Sequence, residues 1–198
     1  MRMLDLFSGL GGASEAMVEA GWHVMRLENN PLLLDVPKTC EWDLSKDEEI
    51  DALTNMQYWQ KPDLIWASPP CVAFSDGFSA PKSIAKREGV KYEPDMSLVQ
   101  KSVEIIRRME PKWWVIENVR GAQPYFNQLL GPRRQCIGSV YLWGNFPHLE
   151  LGNWKMGKKE DDWSTNPLRA NIRAKIPIEI SRALRRAVET QTILEEWV

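Results

Sequence analysis

The sequence predicts an α/β protein built on a doubly wound parallel sheet. Three observations carry this. Strand-like apolar runs alternate with helical stretches, the chain opens as strand, glycine turn and helix, and the unusual residues fall just after strands. In such sheets ligands sit beyond the carboxyl ends of the strands.

The elements follow in order. RMLDLF (2–7) reads as a short buried strand, FSGLGGAS (7–14) as a glycine turn, and 15–20 as a helix that Gly21 ends. WHVMRLE (22–28) is a second strand, closed by Asn29-Asn30-Pro31. A short third strand is expected within 40–44, a helix over 46–58 and a strand over 63–67. Residues 74–94 are basic and lack periodicity, so a mobile loop is expected there. Val99, Val103, Ile106 and Met109 recur at helical spacing over 97–109. A buried strand at 113–116, a short helix at 125–130, a strand at 139–143 within a hairpin, a polar loop at 155–166 and a helix over 178–193 complete the chain.

With 198 residues and 43% apolar content, one globular domain spanning 1–198 is expected. No apolar run reaches the roughly 20 residues of a membrane helix, and the N-terminus lacks a signal-peptide pattern. The three cysteines, Cys40, Cys71 and Cys136, include no CxxC, which points to a reducing cytoplasm. His23 and His148 are far apart in sequence, so no metal site is expected. The net charge of −2 hides an asymmetry. Acids dominate up to Asp63, and bases, among them Lys82, Lys86, Arg87 and Lys91, dominate beyond it. The later part suits an anionic partner, although ordinary solvated faces account for the charge equally well.

Three strand ends carry candidate ligand-binding residues. Gly9, Gly11 and Gly12 turn the chain sharply between a strand and a helix. Their spacing is not GxGxxG and no P-loop lysine follows, so a nucleoside-bearing ligand fits and a polyphosphate is not demanded. Glu28 ends the second strand, where an acid accepts ribose hydroxyls in dinucleotide folds. Asp43 ends the third and is placed to accept an adenine amino hydrogen; taken alone, it reads as readily as a plain loop acid. The ordered set of three favours bound adenosine.

Two further strand ends carry chemistry. The run Leu64-Ile65-Trp66-Ala67 stops at Ser68-Pro69-Pro70, and Cys71 follows at once. Prolines cannot donate to a sheet ladder, so they end the strand and stiffen the support of Cys71. A thiolate there is useful if donors or positive charge stabilise it. Cys40 and Cys136 read instead as small buried hydrophobes. Glu117 follows the buried run WWVI. It serves either as a turn-capping acid or as a proton donor to a ring nitrogen.

On these residues the sequence resembles the DNA (cytosine-5)-methyltransferase family, in a compact form like that of phages or mobile elements. DLFSGLGG (5–12) matches its cofactor motif, SPPC (68–71) its Pro-Cys nucleophile motif, and ENV (117–119) its glutamate motif. LVQKSVEIIRRMEPKWWVIENV (98–119) resembles the segment leading into the last of these. The resemblance implies a Rossmann-like, S-adenosylmethionine-dependent methyltransferase sheet and methylation of C5 of cytosine in DNA through a covalent Cys71–C6 adduct. Cys71 and Glu117 would be catalytic, with Arg134 as the orienting arginine and Arg133 second. Asp5, Phe7, Ser8, Gly9, Leu10, Gly11 and Gly12 would form the cofactor turn. Glu28 would hold the ribose and Asp43 the adenine amine, with Asn29, Leu44, Pro70 and Leu98 packing around them. The partner would be DNA with a flipped cytosine.

The departures are specific. The family's target-recognition domain is reduced or absent, with 141–171 as its possible vestige, so sequence choice is expected to be either weak or supplied by a separate specificity protein. RAKIPIEISRAL (173–184) is a degenerate form of the last motif, which leaves closure of the cofactor pocket by the C-terminus open. Two other readings stand beside the first: a cytosine methyltransferase acting on RNA or a nucleotide, and a non-catalytic binding module or half of a split enzyme.

Overall fold

The computed structural model describes residues 1–157 and 165–196, with side chains described as far as 192. Seven strands form one sheet: β1 (Arg2–Leu6), β2 (His23–Glu28), β3 (Thr39–Glu41), β4 (Leu64–Ala67), β5 (Trp113–Asn118), β6 (Gln135–Ile137) and β7 (Val140–Asn145). Their order across the sheet is β3-β2-β1-β4-β5-β7-β6. The first five are parallel, and β7 runs antiparallel to both β5 and β6. The chain winds outward from β1 to β3, returns to β4 beside β1, and continues the other way. The strand order therefore reverses between β1 and β4, which makes the expected doubly wound sheet with its switch point there.

Alternation along the strands divides the core in two. Leu4, Leu6, Ile65, Ala67 and Ile116 face one side. There they meet α2 (Asp47–Asn55), α4 (Ser97–Met109) and α5 (Gln123–Leu130) through Ile50, Leu53, Ile105, Met109 and Phe126. Met3, Val24, Leu64, Trp66 and Val115 face the other. They are covered by α1 (Glu15–Glu19) and α7 (Ile178–Glu196) through Ala16, Met17, Ile180, Leu184 and Val188. Strands buried on both faces read as continuous apolar runs, which is why β1, β4 and β5 were visible in the sequence.

Several expectations need correction. Residues 74–94 contain a helix, α3 (Pro81–Glu88). Its boundaries are local: Pro81 occupies the first turn and Gly89, at φ +68°, ends it in the left-handed conformation. None of its residues is buried, so no apolar period announced it. The 46–58 helix ends at Asn55, and a 3-10 turn, Gln57–Trp59, takes over. A second short helix, α6 (Arg169–Ala174), lies where a loop was expected to have just ended. Cys40 and Cys136 are exposed because they lie on the edge strands β3 and β6. Of the 141–171 stretch, Tyr141 to Asn145 belong to a sheet strand, and 158–164 fall outside the described residues. No described helix is long and apolar enough to cross a membrane.

The layer over β1 depends on α7. Ile180 is fully buried there. Replacing it with alanine removes three carbons from a site with no solvent access, so Ile180→Ala is expected to cost about 2–5 kcal/mol of unfolding free energy, read as a lower urea midpoint at unchanged slope.

Candidate functional site

All of the strand-end candidates lie on the carboxyl edge of the parallel strands. At the end of β1 the backbone turns abruptly: Phe7 sits at φ +56°, uncommon for a residue with a side chain. Three bonds hold this conformation. Ser8 N–H donates to the Leu27 carbonyl at 3.1 Å, Gly11 N–H to the Ser8 carbonyl at 2.8 Å, and Gly9 N–H to Glu28 Oε2 at 2.8 Å. The other oxygen of Glu28 accepts the N–H groups of Asn29 and Asn30 at 3.1 and 3.0 Å. Glu28 thus ties the turn after β1 to the end of β2. Phe7, Ser8, Gly9 and Leu10 are half-buried.

Gly11 and Gly12 lack side chains for reasons internal to the protein. A Cβ on Gly11 would stand 2.4 Å from Arg26 Cζ, and one on Gly12 would stand 2.4 Å from the Ile176 carbonyl. The C-terminal segment therefore lies directly on the turn. Lys175 pairs with Glu15 at 2.8 Å, and Ser181 Oγ donates to the Ala13 carbonyl at 2.7 Å while accepting Ala16 N–H at 3.0 Å. Gly9 is different. A Cβ there would find a single neighbour within 4 Å, the Asn171 side-chain amide at 3.9 Å. The open face of the turn lies over Gly9.

Beneath the turn is a buried polar cluster. Arg26, in the middle of β2, donates to Ser14 Oγ at 2.8 Å, the Gly11 carbonyl at 2.9 Å and the Pro37 carbonyl at 2.7 Å. Ser14 Oγ in turn donates to Asp5 Oδ2 at 2.6 Å. Asp5 is 1% exposed, so its carboxyl reaches the turn from below. Its second oxygen, Oδ1, is buried with no hydrogen-bond partner among the described residues. Burial is the largest influence on Asp5 and pushes its pKa up to about 7, against the smaller opposing effects of the Ser14 hydrogen bond and the Arg26 charge. Burial likewise lowers the pKa of Arg26. A charge set in the apolar strand HVMRLE was the sequence signal for this cluster.

A cavity of about 490 Å³ lies beyond β2 and β3, lined by Asn29, Trp42, Asp43, Lys46 and Glu49 among others. The Asp43 carboxylate is gripped by Ser45, whose N–H and hydroxyl both donate to Oδ1 at 3.0 and 2.7 Å. Those bonds, chiefly the hydroxyl's, hold its pKa below the usual carboxylate range. Leu44 is buried below it, 2% exposed. Pro70 and Leu98 line a second cavity, about 290 Å³, between the end of β4 and the start of α4. Open backbone at Gly9, an acid at the end of β2 and an ionised acid beside an indole suit an adenosine-sized ligand.

Cys71 and Glu117 are at the ends of neighbouring strands. The last β4–β5 rung pairs Ala67 with Ile116, so Glu117 comes next to Ser68 while still held in β5 on its other side by Leu142 of β7. Asn118 Nδ2 donates to the Pro69 carbonyl at 2.9 Å, which fastens the proline turn to the glutamate strand. Ser68 N–H donates to the Leu6 carbonyl at 3.1 Å, which fastens it to β1 as well. Cys71 and Glu117 are both half-buried. A thiol, a carboxyl group and the glycine turn thus share one edge across three adjacent strands.

Arg134 is not brought to that edge. Its Nε donates to the Phe146 carbonyl at 2.7 Å. Phe146 follows Asn145, which pairs with Trp114 at the start of β5, so this guanidinium lies toward the opposite edge of the sheet. Arg133 is closer to the candidates: it bonds Gln123 and stands over the Tyr141 ring at 5.5 Å, and Tyr141 pairs with Asn118. Residues the sequence reading did not single out are Arg26 and Ser14 beneath the turn, and Asn118 between the two strand ends.

The family model described as C-5 cytosine-specific DNA methylase matches residues 1–128. A probable DNA (cytosine-5)-methyltransferase of Frog virus 3 (isolate Goorha) is 32% identical over 129 residues, covering 60% of this chain and 53% of the viral protein. Type II methyltransferase M.HgiGI of Herpetosiphon aurantiacus is 28% identical over 130 residues, 62% of this chain and 94% of that one. Type II methyltransferase M.HindV of Haemophilus influenzae is 28% identical over 124 residues, 60% of this chain and 38% of its own length. The match thus spans about half of the viral relative. Among solved structures, a SAM-dependent methyltransferase from Agrobacterium tumefaciens aligns with a TM-score of 0.46 at 16% identity, over 73% of this chain and 55% of that one. A putative DNA modification methyltransferase encoded within an E. coli prophage aligns with a TM-score of 0.43 at 23% identity, over 64% and 34%.

The Asp5 cluster has a measurable signature. The folded pKa, about 7, lies above the unfolded value of ~3.9. Between these values the native state binds the proton more tightly, so the contribution of Asp5 is present at the acid end and is lost as pH rises through about 7. Asp5→Asn is expected to remove this slope. Urea unfolding at the two ends of the window should show the parent protein losing stability relative to the variant.

Proposed function

Since the chain belongs to the C-5 cytosine-specific DNA methylase family, we propose that it transfers a methyl group from S-adenosylmethionine to C5 of cytosine in DNA, through a covalent bond between Cys71 and C6 of the base. The observation that supports this best is the sharing of one edge by Cys71, Glu117 and the glycine turn, with the Asn118–Pro69 bond between the first two. Gly9, Glu28 and Asp43 hold the adenosyl part, with Asn29 beside Asp43; Pro70 and Leu98, expected around it, line a separate cavity at the end of β4. The turn itself is supported from below by Asp5, Ser14 and Arg26.

The Cys71 thiolate adds to C6, and the C5=C6 electron pair becomes available at C5. Glu117 hydrogen-bonds N3 and the exocyclic amine and supplies a proton to N3, which offsets the charge that builds on the ring. Bound S-adenosylmethionine would supply the methyl group as an electrophilic carbon, its sulfonium sulfur keeping the S–CH3 electron pair as a neutral thioether. A base then takes the proton from C5, the electron pair restores C5=C6, the Cys71 thiolate departs, and N3 returns its proton to Glu117. The stacked cytosine of a duplex is out of reach of this edge, so the base is turned out of the helix. Lys86, Arg87 and Lys91, exposed after the nucleophile turn, suit the phosphates around it. With 140–145 serving as a sheet strand, little of the 141–171 stretch is left for recognition, so the choice of DNA site is weak or supplied by a partner.

A duplex carrying 5-fluorocytosine tests this directly, because fluorine at C5 cannot leave as a proton and the adduct is trapped. With methyl donor present, a denaturation-resistant complex linked at Cys71 is expected, and Cys71→Ser should yield none. Glu117→Gln should still bind duplex and form the adduct on the order of a hundredfold more slowly. Undiminished methyl transfer by Cys71→Ser would rule out the covalent route.

A further inference from the structure

The segment after Cys71 returns to the strand exit after Glu117. Gly121 faces the Phe74 carbonyl so closely that a Cβ on it would stand 2.0 Å from the oxygen. Lys82, in the first turn of α3, spans this contact. Its Nζ donates to the Gly121 carbonyl at 3.1 Å and to Asp76 Oδ1 at 3.0 Å, and stands 6.0 Å from the centre of the Tyr125 ring. Arg120 approaches the other oxygen of Asp76 at 3.8 Å. Lys82 is half-buried, whereas Lys86 and Arg87 of the same helix stand in solvent.

Cys71 lies four residues past the last β4–β5 rung, Glu117 only one. Sheet pairing alone therefore does not set the spacing between the sulfur and the carboxyl group. The Asn118–Pro69 bond braces the chain before Cys71. The Phe74, Asp76 and Lys82 contacts with Gly121 brace it after. We propose that Lys82, Asp76 and the Gly121 carbonyl form a clasp, and that Lys82 is a positioning residue holding the Cys71 sulfur in register with Glu117. This inference rests on the cytosine-C5 reading of the site. Lys82 does not touch the base in this role; it acts through the loop. A partly exposed pair of this kind adds little to global stability, so the effect is separable from folding.

The test needs no methyl donor. Addition of the Cys71 thiolate at C6 lets C5 take a proton from water. Loss of the original C5 hydrogen then restores the double bond and expels the thiolate, so tritium placed at C5 of cytosine in a duplex is released to solvent. Lys82→Met is expected to slow release on the order of tenfold to a hundredfold, as a small misplacement of reacting groups does. In the full reaction the KM for the donor should stay unchanged, and Lys82→Arg should recover much of the rate. Gly121→Ala strikes the same clasp from the other strand, and its combination with Lys82→Met should be no slower than the worse single variant. Wild-type release by Lys82→Met, or no recovery with Lys82→Arg, overturns the clasp. Absence of release from the parent protein overturns the cytosine-C5 reading and this inference with it, which separates the two failures.

Discussion

β1 is hydrogen-bonded on both sides, parallel to β2 and to β4, and the rest of the site follows from that constraint. A strand paired twice has no freedom to slide, so its carboxyl end becomes a fixed origin. The pairings Leu6↔Leu27 and Leu6↔Ala67 bring the exits of β2 and β4 to the same level. The pairing Ala67↔Ile116 carries that level to β5. A glycine turn and four side chains, Glu28, Asp43, Cys71 and Glu117, then appear along one edge although up to about a hundred residues separate them.

The turn at that origin is stiffened by contacts that a ligand-centred reading would overlook. Gly11 is small because the Arg26 guanidinium lies against it, and Gly12 because Ile176 does. Glu28 already uses both oxygens on backbone N–H groups of the turn and the β2 exit. The same carboxylate that faces the open side of Gly9 therefore also shapes it. A buried cation is costly unless it is bonded, and Arg26 meets that cost with three acceptors, two in the glycine turn and one in the β2–β3 connection. The turn, the β2–β3 connection and the interior of β1 are joined in one polar unit. The C-terminal segment, whose motif was degenerate in sequence, nonetheless packs on this unit through Lys175, Ile176 and Ser181.

The sheet edges and the exposed helix mark where sequence reading failed. β6 is three residues long with its cysteine exposed, so it carried no alternation to detect. α3 buries none of its residues and was read as loop. The sequence reading puts Arg134 first and Arg133 second, but the two side chains, just ahead of β6, point to different neighbours. Arg133 stands over Tyr141 near the candidate edge, while Arg134 bonds the Phe146 carbonyl toward the other.

The sequence by itself determined the order of β1, α1, β2, β4, α4 and β5, and which residues end each strand. Those properties are local: apolar runs make buried strands, and glycine, proline and acidic residues stop them. Only the tertiary structure decided that the end of β4 lies between those of β1 and β5, that Asn118 bonds Pro69, and that Lys82 and Gly121 meet. Such contacts join residues 39 and 49 positions apart. They depend on strand order and register, which hydrophobic periodicity leaves undetermined, because one apolar strand can pair with any other until helices and connections choose its neighbour.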